Sequence, residues 1–178
     1  MILICVEGGT KTQRDLGEVA LRFFVKKLMP RKRSLRIELQ IKNLLKDGFA
    51  GLCEHTDRNS VLIEAHNHGN LYDYISFLAH ESIHMKQYVT GELILKNRKE
   101  IWQGKDCSGL SYKKQPWEIE AWKGQHKLAK EFIKNEIGIT LKASKDLNPR
   151  SLKKMDWNAE NIFLDSVIAY QAKQRKRK

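Results

Sequence analysis

From residue 35 to 42 apolar and polar side chains alternate without a break: Leu35, Ile37, Leu39 and Ile41 against Arg36, Glu38, Gln40 and Lys42. A period of two predicts a strand with one buried and one wet face. Upstream, the run Ile2 to Glu7, closed by Gly8 and Gly9, reads as a first strand. Between them Leu16, Val19, Ala20, Phe23, Phe24 and Leu28 recur at helical spacing. This predicts an amphipathic helix over 12–29, stopped by Pro30, with Thr12-x-x-Asp15 as its capping box. Two further strands are expected at 49–54 and 60–65, and the polar turn from His55 to Asn59 makes them a hairpin.

Residues 72–88 carry no Pro or Gly and read as one helix, with Asn70 as N-cap and Gly91 as C-cap. After Gly91 the chain is polar and irregular to about Gln115. Ile101-Trp102-Gln103-Gly104 and Gly109-Leu110-Ser111-Tyr112 suggest a short hairpin or loop packed over a cleft. Pro116 opens a new helix at its first turn. This helix runs to about Glu136, with Trp117, Leu128, Ala129, Phe132 and Ile133 among its apolar residues. A break at Asn148-Pro149 precedes a last helix, about 158–172, and then a basic tail.

Composition narrows the class. With 41% apolar and 30% charged residues in 178, the chain is expected to form one domain over 1–172, with 173–178 as the tail. No apolar run approaches membrane-spanning length, and the start lacks the basic region of a signal peptide. Three widely spaced cysteines, Cys5, Cys53 and Cys107, form neither a disulfide framework nor a CxxC site. Cys5 and Cys53 fall in apparent strands and read as core thiols. These features predict a cytoplasmic protein with no membrane partner. The net charge is +12, of which the tail supplies five charges; Arg31-Lys32-Arg33 is a second basic cluster. Such an excess suits a solvated surface or a nucleic-acid partner.

The chemistry lies in the 72–88 helix. It contains His80-Glu81-Ser82-Ile83-His84, an HExxH motif. Residues four apart share a helix face, so His80 and His84 can offer two imidazole nitrogens to one metal ion. Glu81, at the edge of that face, is placed to take a proton from water. A catalytic zinc needs a third protein ligand. Glu118, thirty-four residues after His84 on its own helix, is the best candidate. Glu120 is the alternative, and the two cannot face one ion together, because two residues rotate a helix well away from the first direction. The one not used is left second to the ligands or in solvent. His66 and His68, just before the helix, are weaker candidates. Tyr112 and His126 are the two donors that can stabilise an oxyanion.

The run His80-Glu-x-x-His84-x-x-Gln87-Tyr88, a Trp-x-Gly element, and Pro116-Trp-Glu-Ile-Glu-Ala121 resemble the small SprT-like or minigluzincin metallopeptidases, many of them phage-encoded. The likeness covers roughly 60–135. It implies an α+β, zincin-like fold: an N-terminal helix, a small mostly antiparallel sheet, the HExxH helix, and a helical C-terminal part carrying the third ligand. It implies zinc, a protein or peptide substrate, and, for a phage protein, the host cytoplasm. In gluzincins the third ligand is the Glu of a Glu-x-x-Ala helix, here Glu118 with Ala121. Some families place an Asp four residues later to orient a histidine; Trp122 stands there, so that contact must be made otherwise or is absent. SprT proteins proper use a third histidine, which here would be His126. An edge strand pairs with substrate in such enzymes, and Val61, Leu62, Ile63, Glu64 and Ala65 form the matching segment.

The reading is therefore a zinc peptidase with Glu81 as general base. The alternatives are a catalytically silent nucleic-acid-binding protein that keeps the fold, or a protease acting on DNA-bound proteins. Peptide deformylase also uses HExxH, but with Asp where Ile83 stands, which argues against it.

Overall fold

The structure is a computed structural model, and it describes residues 1–44, 51–67 and 71–137. It is α+β, with three α-helices and two small sheets among the described residues. In chain order these are β1 (Ile2–Gly8), α1 (Lys11–Leu28), β2 (Leu35–Lys42), β3 (Gly51–Asp57), β4 (Ser60–His66), α2 (Leu71–Val89), β5 (Leu93–Lys96), β6 (Lys99–Trp102), β7 (Lys105–Asp106) and α3 (Pro116–Phe132). A 3₁₀ turn at Tyr112–Lys114 precedes α3, and a π-helical turn at Ile133–Ile137 follows it. The expected helix over 158–172, the basic tail, His68 and the Asn70 cap lie outside the described residues.

The first sheet has the order β1-β2-β4-β3. β1 and β2 are parallel, as are β2 and β4; only β3 and β4 run antiparallel. The expected mostly antiparallel sheet is thus corrected. Helix α1 carries the chain back from β1 to start β2 in the same direction, a βαβ connection. The β3–β4 hairpin forms as expected, but β4 slots between β2 and β3. Consequently Val61–Ala65 is an interior segment with backbone partners on both sides, and it cannot serve as the substrate strand. The outer strand is β3.

Each element follows from local chemistry. In β2 the alternation holds: Leu35, Ile37, Leu39 and Ile41 are buried and Arg36 and Lys42 exposed. Helix α1 starts one residue earlier than expected, and its cap lies two residues earlier. Its N-cap is Thr10, whose hydroxyl accepts from the Gln13 amide N–H at 3.2 Å, while Gln13 Oε1 accepts from the Thr10 N–H at 2.8 Å. That reciprocal pair is the capping box. Leu16, Ala20, Leu21, Phe24 and Val25 are buried in the core. Cys53 is buried as expected, but Cys5 points outward.

Helix α2 is the centre of the molecule, packed on α1, β3, β4 and α3. Its residues 74–76 and 78–85 are all buried, so it carries no polar solvent face over that span. It ends where Gly91 takes a left-handed φ of 75°, and the Gly91 N–H donates to Tyr88 O at 3.0 Å. The stretch expected to be irregular is in fact a three-stranded antiparallel meander, β5-β6-β7. Its tip turns at Asn97 and Arg98, both with positive φ, as a two-residue hairpin requires. Helix α3 has Pro116 in its first turn and buries Trp117, Ala121, Gln125, Leu128, Ala129 and Phe132.

Candidate metal centre

Helices α2 and α3 cross beside β3, and the crossing gathers His80, His84 and Glu118. One ligand atom from each falls within 4.8 Å of the others. This group can hold a metal ion. The two Nε2 atoms stand 3.1 Å apart, and the Glu118 oxygens lie 3.5 Å from His80 Nε2 and 3.3 Å from His84 Nε2. Both imidazoles are buried, and the rings meet edge to face.

The hydrogen bonds behind the rings decide what those nitrogens carry. Gln87 Nε2 lies 3.0 Å from Trp117 O and 2.7 Å from Glu120 Oε2. A carbonyl and a carboxylate only accept, so that atom must be the amide nitrogen. Gln87 Oε1 therefore faces His84 Nδ1, at 2.8 Å, and His84 Nδ1 must be the donor. In a neutral ring this leaves the Nε2 lone pair bare, aimed at His80 and Glu118. His80 Nδ1 is met in the same way by Gln125 Oε1 at 2.8 Å. Two imidazole nitrogens and a carboxylate converge, and Glu118 Oε2 is buried without a hydrogen-bond partner among the described residues. Lone pairs brought together like this repel one another unless a cation sits among them. The donor set fits a metal.

The electrostatics agree. Burial alone would favour neutral forms, but Glu118 beside His84 outweighs it and holds that imidazole's pKa above its usual value. Burial likewise works against the Glu118 carboxylate, yet His80, His84 and the Tyr112 hydroxyl pull its pKa far below the ordinary range. The cluster thus attracts positive charge, whether a proton or a metal.

Glu81 lies buried in the same pocket, a cavity of about 610 Å³ also lined by Gly51, Cys53, Tyr88, Tyr112, Trp117 and Trp122. Burial pushes its carboxyl up to about 7, against the pull of the two histidines. The β3 backbone passes directly over it. A Cβ on Gly51 would lie 2.5 Å from Glu81 Oε1, so any side chain there would displace the Glu81 carboxylate.

The other expected residues separate. Glu120 bonds Gln87 and Lys86 rather than the ligand cluster, which makes it the carboxylate that holds the amide behind His84. His126 also lies outside the cluster; its Nδ1 meets the Tyr72 hydroxyl at 2.8 Å, and its Nε2 is 3.4 Å from Gln125 Nε2. His126 does not line the metal pocket, whereas Tyr112 does. The Tyr112 oxygen accepts from Trp122 Nε1 at 3.3 Å, and burial together with Glu118 raises its pKa to about 12. His66 is buried at the end of β4, where Nδ1 accepts from the Leu44 N–H at 3.1 Å.

The sequence reading missed Gln125. It stands seven residues after Glu118, two helical turns along the same face, so the spacing carried the signal. It makes the contact to a ligand histidine that the position of Trp122 had left open. Trp122 itself packs edge-on against His80, ring centroids 4.9 Å apart.

No known family, curated protein or solved structure matches this chain.

Proposed function

We propose that the protein is a zinc-dependent peptidase with a zincin-like arrangement, in which His80, His84 and Glu118 hold the metal and Glu81 is the general base. One observation carries the reading. The tautomer of His84 is fixed so that its bare Nε2 meets a second imidazole and a carboxylate, with a further carboxyl near neutrality in the same pocket. Two neutral imidazoles and one carboxylate form a donor set that suits zinc and leaves a position open. Zinc held there supplies a Lewis acid and lowers the pKa of water.

The chain's own groups supply the rest. With its carboxyl at about 7, Glu81 is poised to accept a proton from water and then deliver it to the departing amine. The Tyr112 phenol keeps its proton across the physiological range, so it can donate to the carbonyl oxygen as charge develops there. The outer edge of β3 offers backbone groups to an extended peptide, and Gly51 lets that peptide lie close to Glu81. The motif likeness to small SprT-like and minigluzincin enzymes supports the same reading. The test is Glu81→Gln. It should retain zinc and lose hydrolysis of a casein substrate by about 10² to 10⁴-fold. Undiminished hydrolysis would remove Glu81 from the mechanism.

The net charge of +12 favours a second property, affinity for nucleic acid, with proteins bound to DNA as one substrate class. The Arg31–Arg33 cluster precedes β2, and β2 pairs with the Gly51 end of the hairpin only at its far end, around Ile41. Roughly 20 Å of strand therefore separates that cluster from the metal centre, so the two surfaces need not compete.

A further inference from the structure

A second cavity, of about 480 Å³, adjoins the metal pocket. The two share Leu52, Cys53 and Tyr88, so a peptide lying in one continues into the other. Its walls are apolar and open to solvent: Leu52 of β3 is 37% exposed, and Ile94 and Leu95 of β5 are 46% and 60% exposed. Large apolar side chains gathered on a concave surface mark a binding site. The Tyr88 ring stacks on His55, centroids 6.0 Å apart and planes 5° from parallel, and gives the groove a rigid aromatic surface. Among the described residues the lining carries one carboxylate, Glu54, and no lysine or arginine. Both bordering strands are the outer strands of their sheets among the described residues, so each presents a backbone edge.

We infer that this groove is the specificity subsite of the proposed peptidase. It takes a bulky apolar side chain, such as Leu, Met or Phe, from an extended peptide whose backbone adds to the edge of β3. The inference rests on the peptidase reading. Continuity with the metal pocket selects the occupant: whatever lies over Glu81 along β3 reaches this groove. Gly51 and His55 are four residues apart, about 13 Å of strand, so the recognised side chain sits within about four residues of the scissile bond. The Glu54 carboxylate excludes acidic side chains from the same place.

The probes are labelled ten-residue Ala/Ser peptides in which one position is Phe, Leu, Ser or Asp, scanned along the chain. Cleavage by the wild-type zinc protein is read by mass spectrometry, and binding to the Glu81→Gln protein by fluorescence anisotropy. Leu95→Asp and Ile94→Asp change exposed side chains, so both variants should fold; zinc content checks that they do. At one fixed position, Phe or Leu should be preferred at least about tenfold over Ser or Asp, and both variants should lose that preference. Cleavage without preference, or a preference that survives both substitutions, would overturn the subsite. If no peptide is cleaved, the hydrolysis reading fails, and the anisotropy still decides the subsite by the same preference and its loss.

Discussion

The two histidines of the candidate metal centre are held from behind by very different surroundings. Behind His84, Gln87 is locked by the Trp117 carbonyl and by Glu120, and Glu120 is itself tied to Lys86, which also bonds Glu92. Behind His80, Gln125 has, among the described residues, only a long contact to His126, whose other nitrogen meets Tyr72 beside a small cavity of about 250 Å³. The first network joins α2, α3 and the segment entering β5. The second stays on the outer flank of the α2–α3 pair. An amide held by two partners besides its imidazole gives that ring one orientation and one tautomer; an amide held by one long contact besides its imidazole leaves both freer. Under the proposed metal-binding reading, His84 is the anchor of the site and His80 the adjustable ligand.

The largest effect bears on both sides at once. Glu118→Ala removes the carboxylate that faces both Nε2 atoms, and zinc should be lost at micromolar protein; full zinc occupancy in a chelator-competition titration would mean another residue is the third ligand. The comparison itself is tested by Gln87→Leu against Gln125→Leu. The first should weaken zinc about 10 to 100-fold and also destabilise the fold by about 1–3 kcal/mol, because the Trp117 carbonyl loses its buried donor. The second should weaken zinc less and leave thermal stability nearly unchanged. Equal effects from both would erase the distinction between anchor and adjustable ligand. His126→Ala should be milder still, leaving zinc stoichiometry intact, as a residue two contacts from the metal requires.

A smaller, graded effect follows from titration. In the metal-free protein the pKa of Glu81 lies at about 7, above its ordinary 4.5, and that of His84 lies above its ordinary 6.5. Both shifts mean that the folded protein binds more protons than the unfolded chain. Their stabilising contribution is full below the ordinary values and is lost as pH rises through the folded ones. Zinc needs the deprotonated ligand, so its affinity runs the other way, falling by up to about tenfold per pH unit on acidification. The melting-temperature difference between zinc-loaded and chelator-treated protein should widen from pH 5 to pH 8. A constant difference would show that no proton is displaced.

The unequal networks also show what a sequence discloses. His80, Glu81 and His84 were legible because helical spacing alone places them, and β2 because its alternation is complete; Glu118 was legible only as the best of the candidates on the following helix, because spacing within one helix does not say how two helices cross. Gln125 was not, since an amide has no chemistry of its own to draw attention. The β3–β4 hairpin itself was legible, although its turn is shorter than the five residues expected, since β3 runs to Asp57; its place in the sheet was not, because alternation does not say which strand lies outside. Composition did hold a clue: Glu54, His55, Thr56 and Asp57 make β3 polar, as an edge strand tends to be, while Val61, Ile63 and Ala65 suit an interior one. Thr10-x-x-Gln13 was likewise a better capping box than the one two residues on, because glutamine reaches back to the N-cap amide.

The most direct test of the central claim is the zinc content of untagged protein purified without chelators, measured by elemental mass spectrometry. About one zinc per chain, reduced to background in Glu118→Ala, is the predicted result. No metal in the purified protein, and none taken up from added zinc, would contradict it.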